Sequence, residues 1–101
     1  MRTIRKSELM AMLGDFISVK NTPSRNGHSE APNQFQLRFE HGQVFQSYQA
    51  LVGAKIGGQL YVTKYHDYSK TTSQHMTKWC GYDTKERRDM LESGRIIFVE
   101  G

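Results

Sequence analysis

The 101-residue sequence predicts a single α+β domain over 1–101: a curved antiparallel β-sheet of about five or six strands with two or three short helices on one side. Three observations carry that expectation. In "QFQLRFE", Phe35, Leu37 and Phe39 alternate with Gln34, Gln36, Arg38 and Glu40, the period of a strand with one wet face. Short β-branched and aromatic runs follow one another between turn dipeptides, of which Gly57-Gly58 favours a primed hairpin turn. Later in the chain, two polar stretches carry helix start and stop signals at both ends.

In chain order, "SELMAMLG" comes first. Ser7 can cap a short helix, Leu9, Met10 and Leu13 form its apolar side, and Gly14 fits the stop. "DFISVK" follows as a strand through Phe16, Ile17 and Val19. Residues 21–33, "NTPSRNGHSEAPN", hold both prolines and no apolar period, so they are expected to form a long surface loop. "QFQLRFE" then turns at His41-Gly42 into "QVFQSY", and "ALVGAKI" and "QLYVTKY" complete a four-strand meander. Thr71 and Gln74 have capping-box spacing at the start of "TSQHMTKWC", with Gly81 as its stop. Asp83 caps "TKERRDMLES", with Glu86 three residues on and Gly94 at the end. In "RIIFVE", Ile96, Ile97, Phe98 and Val99 run unbroken, which suits a strand buried on both faces.

Composition excludes some function classes. Hydrophobic residues are 37% and charged residues 24%, a foldable balance. No apolar run approaches the ~18 residues of a membrane span, and "MRTIRKSELMAMLGDF" lacks a signal-peptide pattern, so it is read as mature protein. The one cysteine cannot form an internal disulfide, which makes a reducing, cytosolic setting the default. The formal charge of +4 is compatible with nucleic acid or an acidic protein as partner.

The chemistry is densest in "YHDYSKTTSQHMTKWCG", residues 65–81. His66, His75 and Cys80 lack the short spacings of a zinc site, and no metal or other cofactor is expected. A catalytic reading would use Asp67, His75 or Cys80, but no nucleophile-elbow or other local signature supports it. The plainer expectation makes His75 a helix-surface side chain, Cys80 a small buried one and Trp79 a core anchor. Glycine-rich phosphate-loop patterns are missing. Between residues 55 and 88, Lys55, Lys64, Lys70, Lys78, Lys85, Arg87 and Arg88 outnumber Asp67, Asp83 and Glu86, with Tyr61, Tyr65, Tyr68, Trp79 and Tyr82 interleaved. Cations hold phosphates and aromatic faces stack on unpaired bases. The candidate contacts are Lys64, Lys70, Lys78, Arg87 and Arg88, with Tyr65 and Tyr68 to stack and Ser69, Thr71, Thr72 and Ser73 as neutral donors. Tyrosine, tryptophan and arginine serve a protein–protein interface equally well.

Residues 44–81 resemble a family of short domains encoded mainly by bacteriophages. The matching positions are Phe45, Ser47, Tyr48, Val52, Ala54, Gly58, Tyr61, Asp67, Tyr68, Ser69, Thr71, Thr72, His75 and Gly81, and Asp-Tyr-Ser-x-Thr-Thr is the most specific run. Trp79-Cys80 departs from the usual Phe-Leu pair but stays apolar. The resemblance implies a phage-type accessory protein in the cytoplasm of an infected bacterium, and it adds His75 to the contact set. It implies action by binding rather than catalysis, either to nucleic acid or as an inhibitor of a host or anti-phage defence protein such as a CRISPR effector; the basic and aromatic residues above put nucleic acid first.

Overall fold

The computed structural model describes residues 1–23 and 30–101. Seven strands form one open sheet: β1 (Arg2–Arg5), β2 (Phe16–Pro23), β3 (Glu30–Phe39), β4 (Gly42–Ser47), β5 (Ala50–Ile56), β6 (Gln59–Val62) and β7 (Ile97–Glu100). Three helices accompany them among the described residues: α1 (Lys6–Leu13), α2 (Lys70–Cys80) and α3 (Thr84–Ser93), with a 3-10 turn at Lys64–Asp67. The order across the sheet is β1-β7-β6-β5-β4-β3-β2. From β2 to β6 it is an antiparallel meander, whereas β7 lies parallel to both β6 and β1.

The expected five or six strands become seven because β1 joins the sheet. "RTIR" has no strand pattern of its own, and among the described residues its strand neighbour is β7, with Arg2 opposite Ile97 and Ile4 opposite Val99. The expected loop over 21–33 is shorter in both directions: 21–23 continue β2 and 30–33 begin β3. The rest of that expectation falls outside the described residues. The strand expected through Tyr65 ends at Val62, where Thr63 caps the 3-10 turn instead.

Helices on one side is also corrected. Register places Val44, Ala54, Tyr61 and Ile97 in one row on one face, where they pack with Leu9 and Leu13 of α1. The next row, Phe45, Gly53, Val62 and Phe98, points to the other face, where Met76 of α2 and Leu91 of α3 lie. The period of two that pleating imposes thus gives the sheet two separate cores. The apolar run at 96–99 serves both, as its continuity predicted: Ile96 and Phe98 on one side, Ile97 and Val99 on the other.

The curvature of the sheet follows from connectivity. β1 and β2 are its two edges, about 29 Å apart across six spacings if the sheet were flat. The eight residues of α1 span only about 12 Å, and the four links flanking it, through Gly14 and Asp15, add at most about 14 Å. The sheet therefore curls around α1. The end of that helix is fastened to the β3–β4 turn by His41 N–H to the Leu13 carbonyl at 3.0 Å and Asp15 N–H to Glu40 Oε1 at 2.7 Å.

On the other face, α2 sits close because β5 has no side chain at Gly53. A Cβ there would lie 2.6 Å from Met76 Cε and 3.0 Å from the Tyr61 carbonyl oxygen. Trp79 stacks on Phe45 at 5.8 Å between centroids, half-buried, so it anchors the core as expected but from its rim. Asp83 and Glu86 form the capping box of α3, and Gly94 ends it in the left-handed conformation. For α2 the cap is Ser69, not the Thr71–Gln74 pair; the Ser69 side chain accepts from Thr72 N–H.

Candidate functional site

A cleft of about 1000 Å³ opens where the strands β4 and β5, the 3-10 turn, the first turn of α2 and the end of β7 meet. Local hydrogen bonds hold its walls. Thr63 fixes the 3-10 turn onto β5: its hydroxyl donates to the Leu51 carbonyl at 2.6 Å and accepts from Tyr65 N–H at 3.2 Å. Ser69 Oγ, Thr72 Oγ1 and Ser47 Oγ form a chain of 3.0 Å contacts that ties the start of α2 to β4. The β4–β5 turn is held by Tyr48 N–H to the Asn33 carbonyl at 2.6 Å and by the Gln46 side-chain amide to the Tyr48 carbonyl at 2.7 Å. Tyr48 itself adopts φ 55, a left-handed conformation unusual for a residue with a Cβ.

These restraints leave three tyrosines around the cleft. Tyr48 is 62% exposed and Tyr68 79%. Tyr65 is half-buried, with its ring edge-on to that of Tyr68 at 5.7 Å. The Lys64 ammonium lies 5.3 Å from the Tyr65 ring centroid, within cation–π range. Lys6 and Glu100, from opposite ends of the chain, complete the charged lining.

The sequence-expected residues separate into three sets. Lys64, Tyr65, Tyr68, Ser69, Thr71 and Thr72 line the cleft together. Within that set Thr72 is buried and its hydroxyl is used internally, so it builds the wall. Lys70, the residue between Ser69 and Thr71, is exposed, as are Lys78 two turns further along α2 and Arg88 on α3. Two expected contacts are corrected outright. His75 is 4% exposed, turned into the packing of α2, and is not the helix-surface side chain expected. Arg87 is fully buried.

Arg87 is enclosed in a polar cage. Its Nε donates to His66 Nδ1 at 3.0 Å. One terminal nitrogen donates to Thr77 Oγ1 at 2.9 Å and the Tyr82 carbonyl at 2.7 Å; the other reaches the His66 carbonyl, Ser73 Oγ and Thr84 Oγ1 at 3.0–3.2 Å. All six acceptors are neutral, and the guanidinium has no N–H left for a ligand. Next along the chain, Arg88 is exposed and grips Asp67 Oδ2 at 2.7 Å. Lys55 is likewise engaged, donating to the Trp79 carbonyl at 2.6 Å while lying over the indole.

Burial pushes the His66 pKa below its usual value, helped by the charges of Arg87 and Arg88 and opposed by Asp67. Since Nδ1 accepts from Arg87, the neutral ring carries its proton on Nε2, 3.9 Å from Asp67. For Asp67, burial alone would raise the pKa. The hydrogen bond from Arg88 and the charges of His66, Arg88 and Arg87 outweigh it and hold the carboxyl below the ordinary value.

Asp67, His75 and Cys80, the residues of the catalytic alternative, do not line the cleft. Asp67 is bound to Arg88, and the half-buried Cys80 thiol faces the Tyr82 carbonyl at 3.4 Å. Among the described residues, no group of three or more His, Cys, Asp or Glu is placed to hold a metal ion. No helix among them is long and apolar enough to cross a membrane.

Lys6, Tyr48 and Glu100 were not among the expected contacts. Tyr48 did carry a signal, as the tyrosine of the Ser-Tyr pair in the resemblance. Lys6 and Glu100 meet only through the β1–β7 pairing, which leaves no local trace in the sequence.

A family model described as a family of unknown function (DUF8033) matches residues 17–97. The chain belongs to this family. The DUF8033 match takes in Tyr48, Tyr65, Tyr68 and Lys64, together with the whole Arg87 cage, but neither Lys6 nor Glu100. Comparison with curated proteins and with solved structures returns no match.

Proposed function

We propose that this DUF8033 protein acts by binding rather than by catalysis, and that its ligand is nucleic acid held at the cleft. The observation that carries the reading is the grouping of Tyr48, Tyr65 and Tyr68 with Lys6 and Lys64 around one opening. Lysines supply phosphate contacts and tyrosine faces supply base contacts. Lys70 extends the cationic side, with Ser69 and Thr71 as neutral hydrogen-bonding groups. The phage-type setting and the cytoplasm of an infected bacterium go with this reading, through the resemblance of residues 44–81.

Titration of a fluorescent oligonucleotide tests it. The expected result is saturable binding at low salt, weakened several-fold by Lys64→Ala. No binding at low salt removes the reading.

A protein partner is the second reading, a host enzyme or defence complex that the protein would inhibit. It is favoured by the edge strand β2, where Phe16, Ile17 and Val19 are each more than half exposed. Capture of one dominant protein from nuclease-treated host lysate, lost on Ile17→Lys, would support it over the first.

A further inference from the structure

We infer that the cleft selects single strands, and that base stacking on its tyrosines, rather than phosphate charge, supplies most of the affinity. The inference rests on the nucleic-acid reading and sharpens it to a substrate class. Three observations lead there.

The first is the loss of cations. Sequence alone offers seven basic residues between 55 and 88, but folding removes the strongest candidates. Arg87 is fully buried and saturated, Arg88 is held by Asp67, and Lys55 is held over Trp79. Of the cations among the described residues, only Lys6 and Lys64 line the cleft, and Glu100 on the same lining cancels one of them. A net of one positive charge is a poor match to the regular phosphate array of a duplex, whose binding scales with the number of phosphates neutralised.

The second is the aromatic excess. Tyr48 and Tyr68 are among the most exposed large hydrophobic side chains of the described residues, although tyrosine rings are normally covered over most of their surface. Tyr48 sits at a left-handed backbone position and Tyr68 directly after the 3-10 turn, before Ser69. Tyr65 stands edge-on behind Tyr68 and presents its own face to the Lys64 ammonium. Stacking on such faces needs bases whose own faces are free. In a duplex those faces are already stacked on one another.

The third is shape. A recess of about 1000 Å³ accepts a few unpaired nucleotides. It cannot admit a double helix, whose bases would have to be splayed out first at a cost of a few kcal/mol each.

The test compares a labelled single-stranded oligonucleotide with the duplex of the same sequence across a salt series, using the full chain. Preference for the single strand by tenfold or more supports the inference. With at most three lysines in play, the slope of log affinity against log salt should be no steeper than about −2, roughly a twentyfold loss over a fourfold rise in salt. Tyr68→Ala should weaken binding about tenfold, and Tyr68→Phe should keep it, since the ring face remains. Tyr68 is exposed, so a normal unfolding curve for both variants shows that the loss is one of binding. Equal or tighter binding of the duplex, a steeper salt slope, or indifference to Tyr68→Ala overturns the inference while the nucleic-acid reading stands. Failure of every oligonucleotide to bind at low salt overturns both.

Discussion

The Arg87 cage and one wall of the cleft are built from the same stretch of chain, residues 63–88, yet they use polar side chains in opposite ways. In the cage, every donor of Arg87 is matched by an acceptor from the 3-10 turn, α2, α3 or the link between the two helices. In the cleft, tyrosines and lysines stand open around the rim while the hydroxyls behind them bond to each other. The adjacent residues Arg87 and Arg88 show the contrast most directly. One is a structural centre with no exposure, and the other is an exposed half of an ion pair with Asp67. Residue type and charge density do not distinguish a binding residue from a structural one; the supply of acceptors around it does.

The comparison can be broken most severely at Arg87. Arg87→Ala would leave six buried or half-buried acceptors without their donor, and the expected loss is about 3–5 kcal/mol of folding stability in urea. A loss under about 1 kcal/mol would mean that the cage is ornamental. At Gly53 the packing of α2 on the sheet is tested without touching either polar region. Gly53→Ala places a methyl against Met76 Cε and the Tyr61 carbonyl, and should cost about 1–3 kcal/mol.

Acid tests the cage through His66. Its folded pKa is lowered, so between that value and the unfolded value near 6.5 the unfolded chain binds more protons. Stability from this group is complete above about pH 6.5 and declines as pH falls toward the folded pKa, because a proton on Nδ1 displaces the Arg87 hydrogen bond. Asp67, also lowered, adds a second decline as pH falls below its ordinary value near 3.8 toward its folded pKa. Urea midpoints that stay constant from pH 7 to pH 5, after allowance for the other histidines, would contradict the His66 assignment. The smallest effect is expected at Arg88: Arg88→Ala should cost at most about 1 kcal/mol, since the Arg88 side chain is 65% exposed. It should also leave oligonucleotide affinity nearly unchanged. A large affinity loss there would move the binding surface away from the cleft.

What was legible in the sequence was local. Asp83, Glu86 and Gly94 mark α3 because a capping box and a left-handed stop are decided within a few residues. The run Ile96–Val99 announced a strand buried on both faces for the same reason. The cap of α2, Ser69, lies two residues before the Thr71 that the spacing favours, within a hydroxyl-rich run where several side chains could satisfy the same N–H groups. β1 was missed because its strand character comes from a partner more than ninety positions away. Arg87 was misread because its acceptors are spread from His66 to Thr84 and include backbone carbonyls, which no residue code reveals. Half of the expected contact set nevertheless gathers at the cleft, since the strand-to-helix junction that holds Tyr65, Tyr68 and Ser69 is itself local.

Tyr48 shows what selection for stability alone would have avoided. Its backbone sits at φ 55, where glycine or asparagine rests with less strain and a tyrosine costs about 1–2 kcal/mol. Tyr48→Asn should therefore leave the fold intact or firmer, while removing a ring that meets solvent over most of its surface. A chain under pressure only to fold would drift toward the cheaper residue. That the aromatic ring stands at such a position points to a benefit outside the folded monomer, and the place to look for it is whatever the ring touches when the cleft is full.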